Sequence, residues 1–367
     1  MRTTGSGTAH YPLSSAVRAA APDGGHPGTE QVQVGLWTDP AAWDDFVLRA
    51  PDGTMAHRWA WLGIAAAAYG HPVVPLAAVR GEKLAGVLPL VRMRSRIFGR
   101  HLVSMPYLDT GGLCTAGDRT AEAGLVSAAV RLAAAADAHL ELRHKTDREI
   151  PLVPSLHKVT LLLDLSGGEQ AVWKHLNQTR RRQIRMARRG GLVASEHGPE
   201  ALGEFHRIQA VNLRDLGSPV HSRAFFERVM DAFGEDARIL LVRDGERTIG
   251  AGLMLFQRTW AGVPWAAALR STFSLHPTQL FYWEAIGLAL ARGCEVFDFG
   301  RSSPGSGPYV SKTYYGARPS QLYWHRLPGA DDDRDVQRWQ WATDVWRHLP
   351  VPVATTVGAA VRGGIPQ

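Results

Sequence analysis

VRGEKLAGVLPLVRMR (Val79–Arg94) and VRDGERTIGAGLMLFQR (Val242–Arg258) carry the pattern that decides the fold. Aligned on Gly81-Glu82 and Gly245-Glu246, they lie 164 residues apart, and Gly86 then falls on Gly250 and Arg94 on Arg258. Each reads as a strand, a tight Gly-containing turn and a second strand, which is a β-hairpin. The surroundings repeat as well. A strand at Val32–Leu36 and helices over Pro40–Tyr69 precede the first hairpin; a strand at Leu192–Ser195 and helices over Pro199–Phe233 precede the second. After the first come a strand at His101–Met105, a loop at Pro106–Gly117, a helix at Arg119–Ala138 and a strand at His139–Arg143. After the second come a strand at Pro264–Leu269, a loop at Ser271–Pro277, a helix at Gln279–Gly293 and a strand at Val296–Phe299. The order β-αα-ββ-β-α-β, stated twice, predicts two copies of one α/β domain.

The boundaries follow from the repeat. Residues 1–30, rich in Gly, Ser, Thr, Ala and Pro, read as a disordered tail without the basic start and apolar run of a signal peptide. Residues 31–165 form the first domain, 166–328 the second with a basic entry helix, and 329–367 a C-terminal helix and tail. Within that last segment Asp331–His348 reads as helix, and Pro350 onward shows no clear period. The 367 residues are 45% hydrophobic and 20% charged, enough to bury a core in each domain. Cys114 and Cys294 are too few for a disulfide framework or a Cys-rich zinc site and read as buried core thiols. No run approaches the roughly 18–20 apolar residues of a membrane span. We expect a cytoplasmic monomer with no integral membrane span.

Charge is concentrated. The chain carries +7, of which Glu169–Gly191 contributes +6 and Arg80–Arg100 contributes +5, leaving −4 for the remainder. In the former, Val172, Trp173, Leu176, Ile184 and Ala187 recur at helical spacing, and Lys174, Arg181, Arg182, Arg185, Arg188 and Arg189 fill the remaining arc. Arg180–Arg182 point in three directions, so at least one of them faces the body. In the latter, Val91, Met93 and Ile97 alternate with Arg92, Arg94 and Arg96, predicting a strand with one apolar and one cationic face. Two such segments suit a polyanion-facing surface; a solvated basic face is the alternative.

The densest polar stretch is EVFDFGRSSPGSGPYVSKTYYGA (Glu295–Ala317). A buried strand carries Asp298 between two phenylalanines and ends at Gly300-Arg301; a Gly/Ser/Pro loop then leads to Lys312. A carboxylate, an Arg and a Lys at a strand end make a candidate anionic site, with Asp298, Arg301 and Lys312 as its catalytic candidates. A structural partnership of Asp298 with Arg301, and a surface position for Lys312, are the alternatives. There is no P-loop, His-Glu-x-x-His, Gly-x-Ser-x-Gly or dinucleotide fingerprint, and no His pair sits at metal-ligand spacing, so no metal is expected.

The twice-repeated order resembles the GNAT acetyltransferase topology. Such enzymes hold coenzyme A through a Gly-rich turn at the start of the helix after the fourth strand. STFSLHPTQ (Ser271–Gln279) has no glycine there, and DTGGLCTAGD (Asp109–Asp118) lacks the spacing, so coenzyme A is not favoured and no cofactor is expected. SMPYLDTGG (Ser104–Gly112), TRRRQIRMARRGGL (Thr179–Leu192), NLRDLGSPVHSRAFF (Asn212–Phe226), VPWAAALR (Val263–Arg270), LFYW (Leu280–Trp283) and SKTYYGA (Ser311–Ala317) together resemble the Fem family, the aminoacyl-tRNA-dependent transferases of cell-wall cross-bridges, and look closest to its exosortase-associated FemAB-like members. The resemblance covers about residues 30–328.

The resemblance implies two tandem GNAT folds, transfer of an aminoacyl group from tRNA to an amine, and no need of coenzyme A or metal. The family's Phe-Lys pair before an aromatic-Gly turn falls on Ser311-Lys312 and Tyr315-Gly316. The family's acceptor-region Arg-Asp matches Arg214 and Asp215, and the Tyr of its Leu-Tyr-Trp region matches Tyr282. Tyr107, Arg270 and Tyr315 complete the expected substrate-binding set. The basic segments would then face the tRNA, and the acceptor would be a small amine or an envelope precursor. An acyl-CoA-dependent N-acyltransferase and a non-catalytic nucleic-acid-binding protein are the rival expectations.

Overall fold

The computed structural model describes residues 31–328 and 340–366. The expected tail at 1–30 and the start of the expected helix at 331–339 lie outside the described residues. The first repeat comprises β1 (Val32–Leu36), α1 (Pro40–Arg49), α2 (Ala60–Tyr69), β2 (Val73–Arg80), β3 (Lys83–Ser95), β4 (Gly99–Ser104), α3 (Arg119–Ala135) and β5 (His139–His144). Next come β6 (Val153–Ser155), β7 (Val159–Asp164), α4 (Gly168–His175) and α5 (Gln178–Arg189). The second repeat comprises β8 (Leu192–His197), α6 (Leu202–Asp215), α7 (Arg223–Phe233), β9 (Ala237–Asp244), β10 (Arg247–Gln257), β11 (Trp260–Ala268), α8 (Pro277–Ala291) and β12 (Val296–Ser302). The chain closes with α9 (Gly307–Thr313), β13 (Arg318–Gln321), β14 (Tyr323–Arg326), α10 (Gln340–His348) and α11 (Val351–Arg362).

The repeat is reproduced down to its irregularities. Each hairpin closes with a two-residue loop whose first residue, Gly81 or Gly245, has positive φ (59° and 56°), which only glycine adopts freely. Each hairpin then bulges at one extra residue, Ala85 in β3 and Ile249 in β10. These two positions are again 164 residues apart. Beyond the hairpins, β4 runs parallel to β5 over His101–Val103, and β11 parallel to β12 over Trp260–Gly262, before each pair separates. The separation opens a cleft at the C-terminal end of each strand pair. Asp39 and Asp118 cap α1 and α3 by accepting two backbone N–H bonds each, and Ser222 caps α7.

Two strands change sides. The sheets run β1-β2-β3-β4-β5-β14-β6 and β13-β7-β12-β11-β10-β9-β8. Thus β7 pairs with β12 and β13 of the second sheet, while β14, after the second repeat, pairs with β5 and β6 of the first. The division expected at residues 165 and 166 runs through this exchange. One apolar cluster joins both units, from Trp61, Val91 and Tyr107 to Leu253, Phe281 and Phe297, while Leu76, Leu88, Leu125 and Leu142 form a smaller core beneath α3.

Four local expectations change. The basic segment is two helices, broken at Leu176-Asn177, where the Asn177 side chain caps α5 by accepting from the Thr179 N–H. The arginine strand ends at Ser95: Arg92 and Arg94 are exposed on β3, but Arg96 and Ile97 lie in the turn beyond it. Ser271–Leu275 is not an open loop but part of a short 3₁₀ helix starting at Arg270. Pro350 onward forms α11, which packs on α6 and buries two small residues four apart, Ala354 and Gly358, the latter against Pro219, Val220 and Trp346. No helix among the described residues is long and apolar enough to cross a membrane.

Candidate active site

A cavity of about 340 Å³ sits where β11 and β12 separate, and both units build it. Thr54, Asp109 and Lys145 come from the first; Gln257, Trp260, Gly262, Asp298 and Gly300 come from the second, with Thr160 on the exchanged β7. Asp298 is its best-held polar group. The Thr160 hydroxyl and the Gly300 N–H (2.9 Å) both donate to Asp298 Oδ1. Its other oxygen, Oδ2, stands 3.9 Å from Lys145 Nζ. The register of β12 on β7 slips between Asp298 and Arg301, and Gly300 takes φ 75° there. That irregularity turns the Gly300 N–H back onto the carboxylate.

Arg301 pairs not with Asp298 but with Asp109 of the other unit: its N–H donates to Oδ2 at 3.1 Å and its Nη1 lies 3.4 Å from Oδ1. The contact clamps the loop after β4 to the end of β12. Lys312 is on α9, reaches across the end of β12 and is buried there rather than standing at the surface. Its ammonium donates to the carbonyls of Gly300 (2.7 Å) and Arg301 (3.1 Å), and it does not line the cavity. Burial lowers its pKa to about 8, despite the opposing pull of Asp109 and Asp298.

The remaining substrate-binding candidates fall into separate places. Tyr282 and Tyr315 lie on the opposite face of β12 from Asp298, packed on Phe299 at 5.1 and 5.2 Å between ring centroids. Burial raises the Tyr282 hydroxyl to about 12. The Tyr315 hydroxyl donates to the Gln279 carbonyl, and Arg180 lies over its ring at 4.5 Å. Arg180 is thus the body-facing member of its triplet, donating to the Ser311 carbonyl and hydroxyl at 2.8 Å.

Tyr107, at φ 74°, donates to the Gly363 carbonyl at 2.7 Å. Arg214 donates to the Leu349 carbonyl and pairs with Asp215 at 2.8 Å. The segment from α10 onward therefore covers Tyr107 and Arg214. Arg270 is exposed at the start of the 3₁₀ turn. The structure brings Asp298, Arg301 and Lys312 together, but of all the candidates only Asp298 lines the cavity.

On the basic helices, Lys174, Arg182, Arg185, Arg188 and Arg189 are exposed and Arg181 is half-buried. Arg185 stacks on Trp173, and Arg188 pairs with Glu284. α5 packs on α8 and β8, whereas Arg92 and Arg94 belong to the first sheet, so the two basic segments sit on different units.

Sequence reasoning missed Asp109, Lys145 and Thr160. Each is an ordinary polar residue in its own stretch, and only the strand exchange and the paired clefts give it a place. The signal available was position, since Asp109 and Lys145 follow β4 and β5 where those strands part.

Residues 174–310 match the family described as acetyltransferase (GNAT) domain. No curated protein sequence matches the chain. Among solved structures, FemX is similar over 80% of this chain and 96% of its own, at 13% identity and a TM-score of 0.61. L-PGS from Bacillus licheniformis is similar over 91% of this chain and 99% of its own, at 11% identity and a TM-score of 0.54. A tandem GNAT protein from the clavulanic acid biosynthesis pathway is similar over 82% of this chain and 100% of its own, at 11% identity and a TM-score of 0.50. With two repeats, two clefts and these likenesses over most of its length, the chain has the tandem GNAT fold.

Proposed function

We propose that the chain is an N-acyltransferase that moves an aminoacyl group from aminoacyl-tRNA to an amine on a small-molecule or envelope-precursor acceptor in the cytoplasm. The observation that carries the reading is the composite cavity, where Asp298 keeps one carboxylate oxygen toward the open space. An amine attacking an activated ester needs positioning and a proton acceptor more than a generated nucleophile. Asp298 Oδ2 is placed to take that proton. Arg301 and Lys312 hold the strand end that carries Asp298.

The donor preference rests on the helix starts. Asp118 already accepts the Thr120 and Ala121 N–H groups at the start of α3, where a diphosphate would compete with its carboxylate. α8 follows a glycine-free 3₁₀ turn with an exposed Phe273. Both starts are poor cradles for the diphosphate of coenzyme A, whereas the exposed arginines of α5 suit an RNA backbone. The match to an acetyltransferase domain favours the second reading, acyl-CoA-dependent transfer on the same fold. Incubation with mixed radiolabelled aminoacyl-tRNAs and a panel of amines, with and without acetyl-CoA, separates them. Label transfer from tRNA without acetyl-CoA is the expected result.

A further inference from the structure

We infer that Lys145, rather than Lys312, is the cation that meets the reacting carbonyl oxygen; this rests on the acyl-transfer reading above. Lys145 directly follows β5, so the first unit projects it across the interface toward Asp298 of the second. It lines the 340 Å³ cavity and also an adjoining cavity of about 190 Å³ walled by His57 and His144. Its side chain is 31% exposed, its ammonium lies 3.9 Å from Asp298 Oδ2, and the Trp260 ring centroid is 5.4 Å away. At that distance the pair attracts without a hydrogen bond, so the three N–H donors remain available to a ligand. Lys312 differs on each point: it is 8% exposed, it lines neither cavity, and two carbonyls accept its N–H groups.

The division of labour is then chemical. Lys145 and Asp298 face one space with opposite charge, as amine attack on an ester requires. The amine nitrogen forms a bond to the carbonyl carbon, the π pair moves onto oxygen, and Lys145 donates a hydrogen bond to that oxyanion. The proton shed by the nitrogen passes to Asp298 Oδ2. Collapse breaks the bond to the donor's ribose oxygen, which takes the proton from Asp298, leaving an amide and a free hydroxyl. Lys312 is a positioning residue, fixing the Gly300 and Arg301 peptides and with them the N–H that orients Asp298.

Single-turnover transfer from mixed aminoacyl-tRNAs, with an acetyl-CoA arm and a panel of amines, tests this in the full chain. Lys145→Met should slow transfer at least about 100-fold, the scale for losing one oxyanion donor, with donor affinity by filter binding and the melting temperature little changed. Lys145→Arg should recover part of the rate. A Lys145→Met protein within about threefold of the wild-type rate overturns the assignment and leaves the acyl-transfer reading intact. A wild-type protein that transfers from neither donor overturns that reading, and the assignment with it. Faster loss in Lys312→Met than in Lys145→Met, with both proteins folded, returns the oxyanion role to Lys312.

Discussion

Lys312 Nζ donates to the Gly300 carbonyl at 2.7 Å across the end of β12, so a buried ammonium holds a strand irregularity in place. The arrangement has a pH signature. Lys312 releases its proton near pH 8 in the fold, against an ordinary value of 10.5, because burial disfavours the charged form. Between those pH values the unfolded chain binds more protons than the native one, so this group makes stability rise with pH. Below pH 8 burying the charged form costs about 3 kcal/mol relative to water. The wild-type melting temperature minus that of Lys312→Met should therefore increase from pH 8 to pH 10. A flat difference would show that the ammonium is not buried as described.

Exchanging Arg181, Arg182 and Arg185 for Gln should weaken RNA binding and lower the slope of log affinity against log salt by up to about 2–3, since each lost phosphate contact removes roughly 0.7–0.9. Melting should barely change. Arg180→Gln is the contrasting variant: Arg180 is 2% exposed and tied to Ser311 and Tyr315. It should lower the melting temperature and leave the salt slope alone. Filter binding across a salt series checks both.

The repeat was legible because a Gly-Glu turn between alternating strands is a local signal, and it recurs with its bulge at a fixed offset. The exchange of β7 and β14 was not. VTLLLD carries no period that separates one buried sheet from another, and the partner of a short strand is settled by topology. The break in the basic segment hung on Asn177 preferring a cap to a helix interior. α11 was hidden because Val, Thr and Gly are poor helix formers, and close packing of Ala354 and Gly358 outweighs that propensity. At the site, Asp298, Arg301 and Lys312 stood out as a cluster, but Lys145 and Thr160 needed the fold to reach it.

Removing residues from Gly363 onward should destabilise the protein. The Gly363 carbonyl accepts from both Tyr107 and His71, and the Pro366 carbonyl accepts from Arg143, which is fully buried. His71 and Tyr107 keep each other at 2.9 Å and Arg143 keeps Glu141 and the Leu108 carbonyl, so the loss is that of the bonds themselves, about 1 kcal/mol each. Calorimetry of the truncated chain should show a melting temperature lower by several degrees; an unchanged value would mean that these donors find other acceptors.

Acid should loosen the joint between β5 and β14. The Leu113 N–H donates to His144 Nε2, which places the proton of His144 on Nδ1 and directs it to His325 Nδ1 at 3.0 Å. Burial holds His57 down to about 4 and lowers His144 and His325 from the ordinary 6.5 as well. Below pH 6.5 the unfolded chain takes up protons that the native one refuses, so stability should fall from pH 6.5 toward pH 4. Urea midpoints at pH 7 and pH 5 measure it, and His144→Gln should shrink the difference.

The exchanged strands also set an order of events during synthesis. His144 and His325, which meet across β5 and β14, are 181 positions apart in the chain. At roughly 5–20 residues per second, β5 leaves the ribosome about 10–40 s before its neighbour exists. Through that interval the first sheet ends in an unpaired edge, the kind of surface that invites pairing with another nascent chain. The N-terminal half therefore cannot finish folding on its own schedule, and the last strand to be made is the one that closes the first sheet.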